Sequence, residues 1–201
     1  MIVRFPLELL LAFTLIFLCR LAWFLYRQAH FPADRTLEEV IPFLRPVYRE
    51  EVEELTDPAG EEMLRLNLGE RQFAKEQKRR MGRLLEQVQR MAHNAGFLRE
   101  WARRERRTAW SLGDEQRKAA SERLVAACIE VRGGACAIQV ALHVWRTKAA
   151  IYPPARALWL SSLRKIVSFD VVFSYERMAE AAMELGLSAA ENFQQALEQR
   201  L

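Results

Sequence analysis

Residues 121–152 read SERLVAACIEVRGGACAIQVALHVWRTKAAIY, and the placing of their apolar residues decides the fold class. Leu124, Cys128, Val131, Ala135, Ile138, Leu142, Trp145, Ala149 and Tyr152 step by four and three residues without a miss. That spacing lines one face of a helix and packs it along another. Upstream, Met81, Leu84, Val88, Met91, Ala95, Leu98 and Ala102 keep the same rhythm, and Ser111–Asp114, around Gly113, supplies a break between the two runs. Two long seams joined by a short turn predict an antiparallel hairpin with arms of roughly 55 to 65 Å. Gly133 and Gly134 lie inside the second seam, where each costs about 1 kcal/mol relative to alanine. With Ala135 and Ala137 beside them, they are expected to admit a close helix neighbour rather than to break the helix.

Punctuation extends the helical reading outward. Thr36 and Glu39 spell a capping box that opens a helix toward Leu55, which Pro42 and Pro46 kink or divide. Asp57 before Pro58 is a cap followed by proline at the first helical position, opening a stretch that runs to about Thr108. Pro153 and Pro154 are expected to end the second arm and begin another helix. Leu185, Gly186, Leu187 and Ser188 read as a stop and a fresh cap, completed by Glu191, for a last helix to about Arg200. Two segments alternate like strands instead: Leu64, Leu66 and Leu68, and Val167, Phe169, Val171, Phe173 and Tyr175. The expected architecture is all-α, an N-terminal single transmembrane helix followed by an antiparallel helical hairpin or bundle, with a minor β ribbon at 64–68 and 167–175 as the alternative for those segments.

The transmembrane expectation comes from Phe5–Tyr26, which is apolar except for Glu8, Thr14 and Arg20. Its 22 residues would rise about 33 Å as a helix, enough for a hydrocarbon core of about 30 Å. Leu9, Leu10, Leu11, Phe13, Leu15, Ile16, Phe17 and Leu18 fill the span, Trp23 and Tyr26 sit at interfacial depth, and Arg20 is near enough to one end to snorkel. A cleaved signal peptide fits less well. Glu8 disturbs a positive leader, and neither Ala29 nor Ala33 has a small residue two places earlier. Arg4 precedes the span while Arg20, Arg27 and Arg35 follow its centre, which favours a single-pass protein with the bulk of the chain on the cytoplasmic side. Cys128 and Cys136, on one helix, would lie about 12 Å apart and cannot bridge to each other, and free thiols suit a reducing compartment. The chain thus divides into an anchor at 1–30, an acidic juxtamembrane helical segment at 31–62, and a helical domain at 63–201.

Charge is segregated along it. Residues 34–62 carry ten acids and three bases, whereas residues 63–107 carry thirteen bases and five acids, although the whole chain is only +4. The bases form two groups. Lys75, Lys78, Arg79, Arg80 and Arg83 make one, and Arg99, Arg103, Arg104, Arg106 and Arg107 make the second, with Trp101 and Trp110 interleaved. These ten are the candidate polyanion-binding residues. Anionic lipid is the favoured polyanion because the chain is already tethered and each base near such a surface contributes about 1 kcal/mol. Nucleic acid is disfavoured, since electrostatics alone binds it without specificity. The competing reading is a solvated face neutralised by the acidic segment 34–62.

Catalytic patterns are missing from the sequence. No Glu-x-x-His, Cys-x-x-Cys, His-Glu-x-x-His, phosphate-loop lysine motif or Gly-x-Ser-x-Gly occurs. His143 lies off the seam and is read as a packed or hydrogen-bonded histidine, and Cys128, within the seam, as a small core residue. Ala182, Gly186 and Leu187 resemble the turn of a helix-turn-helix, but Asn192 stands where that motif wants an aliphatic residue, and Arg200 is the only cation on the candidate reading helix. The expectation is a membrane-anchored helical interaction or scaffold protein with no catalytic, cofactor-binding or metal-binding residues, whose partners are the membrane and a protein or a second copy. Anionic-lipid or non-specific nucleic-acid binding through the basic helix 75–107 is the alternative, and an enzyme the least favoured class.

Overall fold

A computed structural model of the protein describes residues 35–151 and 171–189, with side chains at 35–144 and 171–186. The expected anchor, with its apolar residues 9–18, Trp23 and Tyr26, lies outside the described residues, as do Pro153, Pro154 and the last helix. The described chain is helical, with six α-helices: α1 (Leu37–Val40), α2 (Arg49–Thr56), α3 (Pro58–Asn67), α4 (Glu70–Leu112), α5 (Glu115–Ile151) and α6 (Val172–Ala189). A 3₁₀ turn, Ile41–Phe43, follows α1. The chain separates after Ala33 into two units, and everything described here beyond that point belongs to the second.

The hairpin forms as its two seams require. Met81, Leu84, Val88, Met91, Ala95, Leu98 and Ala102 of α4 are all buried, as are Leu124, Cys128, Val131, Ala135, Ile138 and Leu142 of α5. These two helices of 43 and 37 residues pack closely, and at 1.5 Å per residue they extend about 65 and 55 Å. Their connection is a two-residue turn. Gly113 takes the left-handed conformation at φ 71°, its N–H bonds to the Trp110 carbonyl, and the Asp114 N–H bonds to the Ala109 carbonyl. This is the glycine-closed stop that lets a helix reverse at once. Asp114 then caps α5 by accepting from the Arg117 N–H at 3.0 Å.

A third helix lies against the hairpin. Helix α6 runs antiparallel to α5, with Arg177 bonded to Glu130 at 3.2 Å and Arg123 to Glu184 at 2.9 Å. The close approach expected at the paired glycines occurs at one of them and against α6: a Cβ on Gly134 would stand 2.4 Å from Val171 Cγ2, whereas one on Gly133 would meet nothing within 4 Å.

Before the hairpin, residues 35–62 form a strap along α4. Thr36 and Glu39 make the capping box, and the proline-bearing stretch after α1 divides the segment into a 3₁₀ turn and extended chain before α2. Asp57 accepts from the N–H groups of Ala59 and Gly60 and sets Pro58 as the first residue of α3. The stretch beyond is not continuous to Thr108: α3 ends at Asn67, and α4 starts anew at Glu70.

Two expectations are corrected. The β ribbon is absent, since no strand occurs among the described residues; residues 64–67 belong to α3 and 172–175 to α6, with 167–170 outside the described residues. Val171, Ser174, Tyr175, Met178, Ala182 and Leu185 are buried at steps of three and four, so the helical period governs where a short window also fits alternation. Nor does the chain stop at Leu185–Ser188. Helix α6 continues to Ala189 through a buried Gly186, and without a turn there the helix-turn-helix likeness fails.

Opposite substitutions at two packed positions should both destabilise the protein. Leu142→Ala removes a side chain that is 3% exposed between α4 and α5 and should cost about 2 to 5 kcal/mol. Gly134→Ala should cost about 1 to 3 kcal/mol by overpacking, a loss that Val171→Ala in the same chain should partly restore. Melting of the full-length chain measures both, and an unchanged melting temperature for Gly134→Ala would contradict the described contact.

Candidate interaction surface

Helix α4 carries all ten candidate polyanion-binding residues, and the strap divides them. The strap runs antiparallel to α4, held mostly by α4 side chains that bond its backbone. Asn94, wholly buried, accepts from the Arg45 N–H at 2.8 Å and donates to the Arg45 carbonyl at 2.8 Å. Gln87 Oε1 accepts from the Tyr48 N–H at 3.3 Å, and Gln87 Nε2 donates to Glu51. Arg90 donates to the Pro46 carbonyl at 3.2 Å, and Arg80 to the Glu54 and Leu55 carbonyls at 2.7 and 3.4 Å. Gln77 closes the series on Glu61 at 3.1 Å. Burial raises the Glu61 carboxyl above its ordinary range, with Gln77 opposing the shift.

The first basic group is accordingly split. Arg80 is buried on strap carbonyls, Arg83 faces Glu51 at 3.8 Å, Arg79 reaches Glu76 at 3.9 Å on its own helix, and Lys75 and Lys78 are exposed. The second group lies beyond the strap's covering acids. Arg99 and Arg103 stand near Glu100 together with Arg35 of the strap and Arg132 of α5, so four guanidinium groups surround one carboxylate. Burial raises the Glu100 carboxyl, and the four arginines oppose that rise. Burial lowers both Arg99 and Arg132, and like charge adds to it, from Arg103 on Arg99 and from Arg99 and Arg103 on Arg132. Arg99, Arg104, Arg107 and Arg132 engage further groups of the chain as well.

Arg35 is also stacked. Its guanidinium lies 5.2 Å from the Phe43 ring centre and 5.0 Å from that of Phe97, and those two rings stack on each other at 5.3 Å. His93 leans on Phe97 at 4.8 Å, and its Nε2 lies 3.1 Å from the Phe43 carbonyl; a carbonyl only accepts, so that nitrogen carries a hydrogen. Desolvation and then the Arg45 charge hold His93 below its ordinary pKa of 6.5, against the carbonyl's opposite pull.

Toward the hairpin tip the two tryptophans part company. Trp101 is fully buried and donates to Glu105 at 3.2 Å, whereas Trp110 is 74% exposed with the Lys118 ammonium 4.8 Å above its ring. Leu112 beside it is 70% exposed. Glu105 also pairs with Arg117, and Glu115 with Lys118 at 3.1 Å. Arg106 and Arg107 are exposed.

Groups suited to chemistry are spread out or sealed. Cys128 is buried, and desolvation pushes its thiol up to about 12, far from a reactive thiolate. Tyr175 is likewise pushed up to about 12 by burial, despite its bond from Asn94 at 2.8 Å. No group of three metal-ligating side chains occurs among the described residues. A cavity of about 40 Å³ between Met81, Leu85, Leu142 and His143 has room for water but not for an organic substrate. Sequence reasoning missed Arg35, Arg132 and the clamp of Gln87, Arg90, His93 and Asn94, because each meets its partner across 36 to 50 residues or across helices. Comparison with known protein families, with curated proteins and with solved structures finds no match.

The His93 clamp should make stability pH-dependent in a defined direction. Its folded-state pKa lies below 6.5, so the unfolded chain binds the proton first and stability falls as pH drops from 6.5 toward the lower folded value. His93→Gln, which retains an N–H donor, should flatten the melting temperature across that window. An equally steep profile in the variant would remove His93 as the cause.

Proposed function

We propose that the protein is a membrane-anchored helical interaction protein, which binds and organises partners rather than transforming a substrate. The observation that carries the interaction reading is the outer face of α5. Ala126, Ile129, Gly133, Ala137, Val140 and Val144 recur at steps of three and four on the side opposite the buried seam, and all six are exposed, Ile129 by 53% and Val144 by 48%. A helix apolar on both sides is suited to burial on both. Gly133 and Ala137, four apart, leave room for a second helix to approach closely, which favours a protein partner or a second copy.

Anchorage is supported by Phe5–Tyr26, whose length and apolar content suit a single span, and the arginines after it favour a cytoplasmic bundle. Among the described residues one helix stretch, Glu115–Val144, is also long and apolar enough to cross a membrane by length and composition alone. Its seam is packed against α4, and Glu130 and Arg132 lie midway along it, so the N-terminal segment is the better span.

Two measurements test this reading. The full-length protein should remain with membranes through alkaline carbonate, and Leu15→Arg should reduce insertion, since a mid-span cation costs about 2.5 to 3.5 kcal/mol. Recovery of the wild-type chain in the wash would end the anchor reading. Ile129→Arg with Val140→Arg should abolish cross-linked or co-purifying complexes while the monomer melts as before, because both positions are solvent-facing; intact complexes would exclude this face.

A further inference from the structure

The hairpin tip combines features that the bundle does not require. Trp110 and Leu112 bury little of themselves, at 74% and 70% exposed, and Gly113 and Asp114 close the turn beside them through backbone bonds and an aspartate cap that need neither side chain. Two large apolar groups held in water at a sharp turn are costly to keep unless something covers them. Their surroundings are basic. The nearby acids are engaged, Glu105 by Trp101 and Arg117, Glu115 by Lys118, and Asp114 as the cap of α5, while Arg106 faces solvent and Arg107, also exposed, keeps a contact within the chain. An indole and a leucine beside arginines match the layered chemistry of a bilayer surface, with phosphates outside and acyl chains beneath.

The path of the strap adds a second, independent observation. Arg35, where the described chain begins, pairs with Glu100, which precedes Leu112 by twelve residues, about 18 Å of helix. From there the strap runs away from the tip toward Gln77. The chain therefore joins the bundle near its tip end.

We propose that the tip docks on the anionic membrane surface to which the chain is anchored, with Trp110 and Leu112 entering the headgroup layer and Arg106 and Arg107 meeting lipid phosphates. This rests on the reading of residues 5–26 as the anchor.

The test uses the full-length protein in vesicles of phosphatidylcholine alone or with added phosphatidylserine, carrying lipids brominated close to the headgroup. The difference in emission between the wild type and Trp110→Phe isolates Trp110. With phosphatidylserine that emission should shift to the blue and be quenched by bromine. It should return to the solvent-exposed value in phosphatidylcholine alone, in the Arg106→Gln, Arg107→Gln variant, and as salt shortens the screening length from about 10 Å at 0.1 M to about 3 Å at 1 M. Unquenched Trp110 emission with phosphatidylserine would overturn the proposal, as would burial of Trp110 only on adding nucleic acid. Carbonate extraction of the same vesicles reads the anchor separately: a resistant chain with unquenched Trp110 refutes docking alone, whereas an extractable chain whose Trp110 was quenched beforehand refutes the anchor and supports docking.

Discussion

The buried carboxamide of Asn94 is the constraint on which the described structure depends. Its oxygen accepts from the Arg45 N–H, and its two amide hydrogens go to the Arg45 carbonyl and the Tyr175 hydroxyl, so one side chain joins strap, α4 and α6. Residues 44–48 are neither helix nor strand, and backbone groups that turn inward without such structure must find partners elsewhere. Asn94 supplies to Arg45 what the peptide group of a neighbouring strand would supply. Without it, the strap would leave a part-buried N–H and carbonyl unpaired, at about 1 kcal/mol each. With it, the path of the strap is fixed closely enough for Leu44 and Val40 to bury and for Glu51 and Glu61 to meet the polar side chains of α4 in register.

That register turns a segregated sequence into a directional surface. The acids at 51–61 lie along the N-terminal half of α4, where Arg83, Gln77 and Gln87 meet them. The acids nearer the start of the strap are Glu38 and Glu39, and Glu39 is taken by the capping box at Thr36. Of the acids toward the C-terminal half of α4, Glu100 faces the arginines around it, while Glu105 is taken by Trp101 and by Arg117 of α5. Summed over the chain the charge is +4, but the sum hides a neutralised end and a basic end. Among the strap–helix hydrogen bonds that fix which end is which, those of Asn94 with Arg45 and of Gln87 with the Tyr48 N–H join uncharged groups and do not weaken with salt as surface ion pairs do.

Elements with a long, repeated period were legible in the sequence. Both seams could be read residue by residue because thirteen positions obey one spacing and bury together, and Gly113, Asp57 and Thr36 act through local chemistry that the sequence spells out within four residues. The strand-like alternation at 171–175 misled because five residues cannot separate a period of two from one of 3.6. Gly186 misled for a different reason: glycine ends a helix when a left-handed residue is required, but it also serves inside a helix where a side chain would not fit, and only neighbours distant in sequence distinguish the two. The same distance hid the clamp. Asn94 lies inside an obvious helix, and nothing within a turn of it announces a partner at Arg45 or Tyr175. Of the ten basic residues singled out, nothing in the local pattern marks Arg80 for burial on the strap's carbonyls or Arg106 for water.

Helix α5 shows why composition alone misjudges a bundle helix. Its apolar residues encircle it, so by content it resembles a span, yet Glu130 and Arg132 sit at its middle. In a bilayer centre an arginine costs about 2.5 to 3.5 kcal/mol on insertion scales. In the bundle the same two residues are useful, because Glu130 reaches Arg177 of α6 and Arg132 extends across Gly96 of α4 toward Glu100. The crossing passes close over Gly96, where a Cβ would lie 3.2 Å from the Arg132 guanidinium. Charges that would be penalised in lipid thus fasten α5 to both of its neighbours, and they do so from its flanks. The face between those flanks carries no charge from Ala126 to Val144, so α5 meets its own bundle on two sides and presents an uncharged, exposed third side.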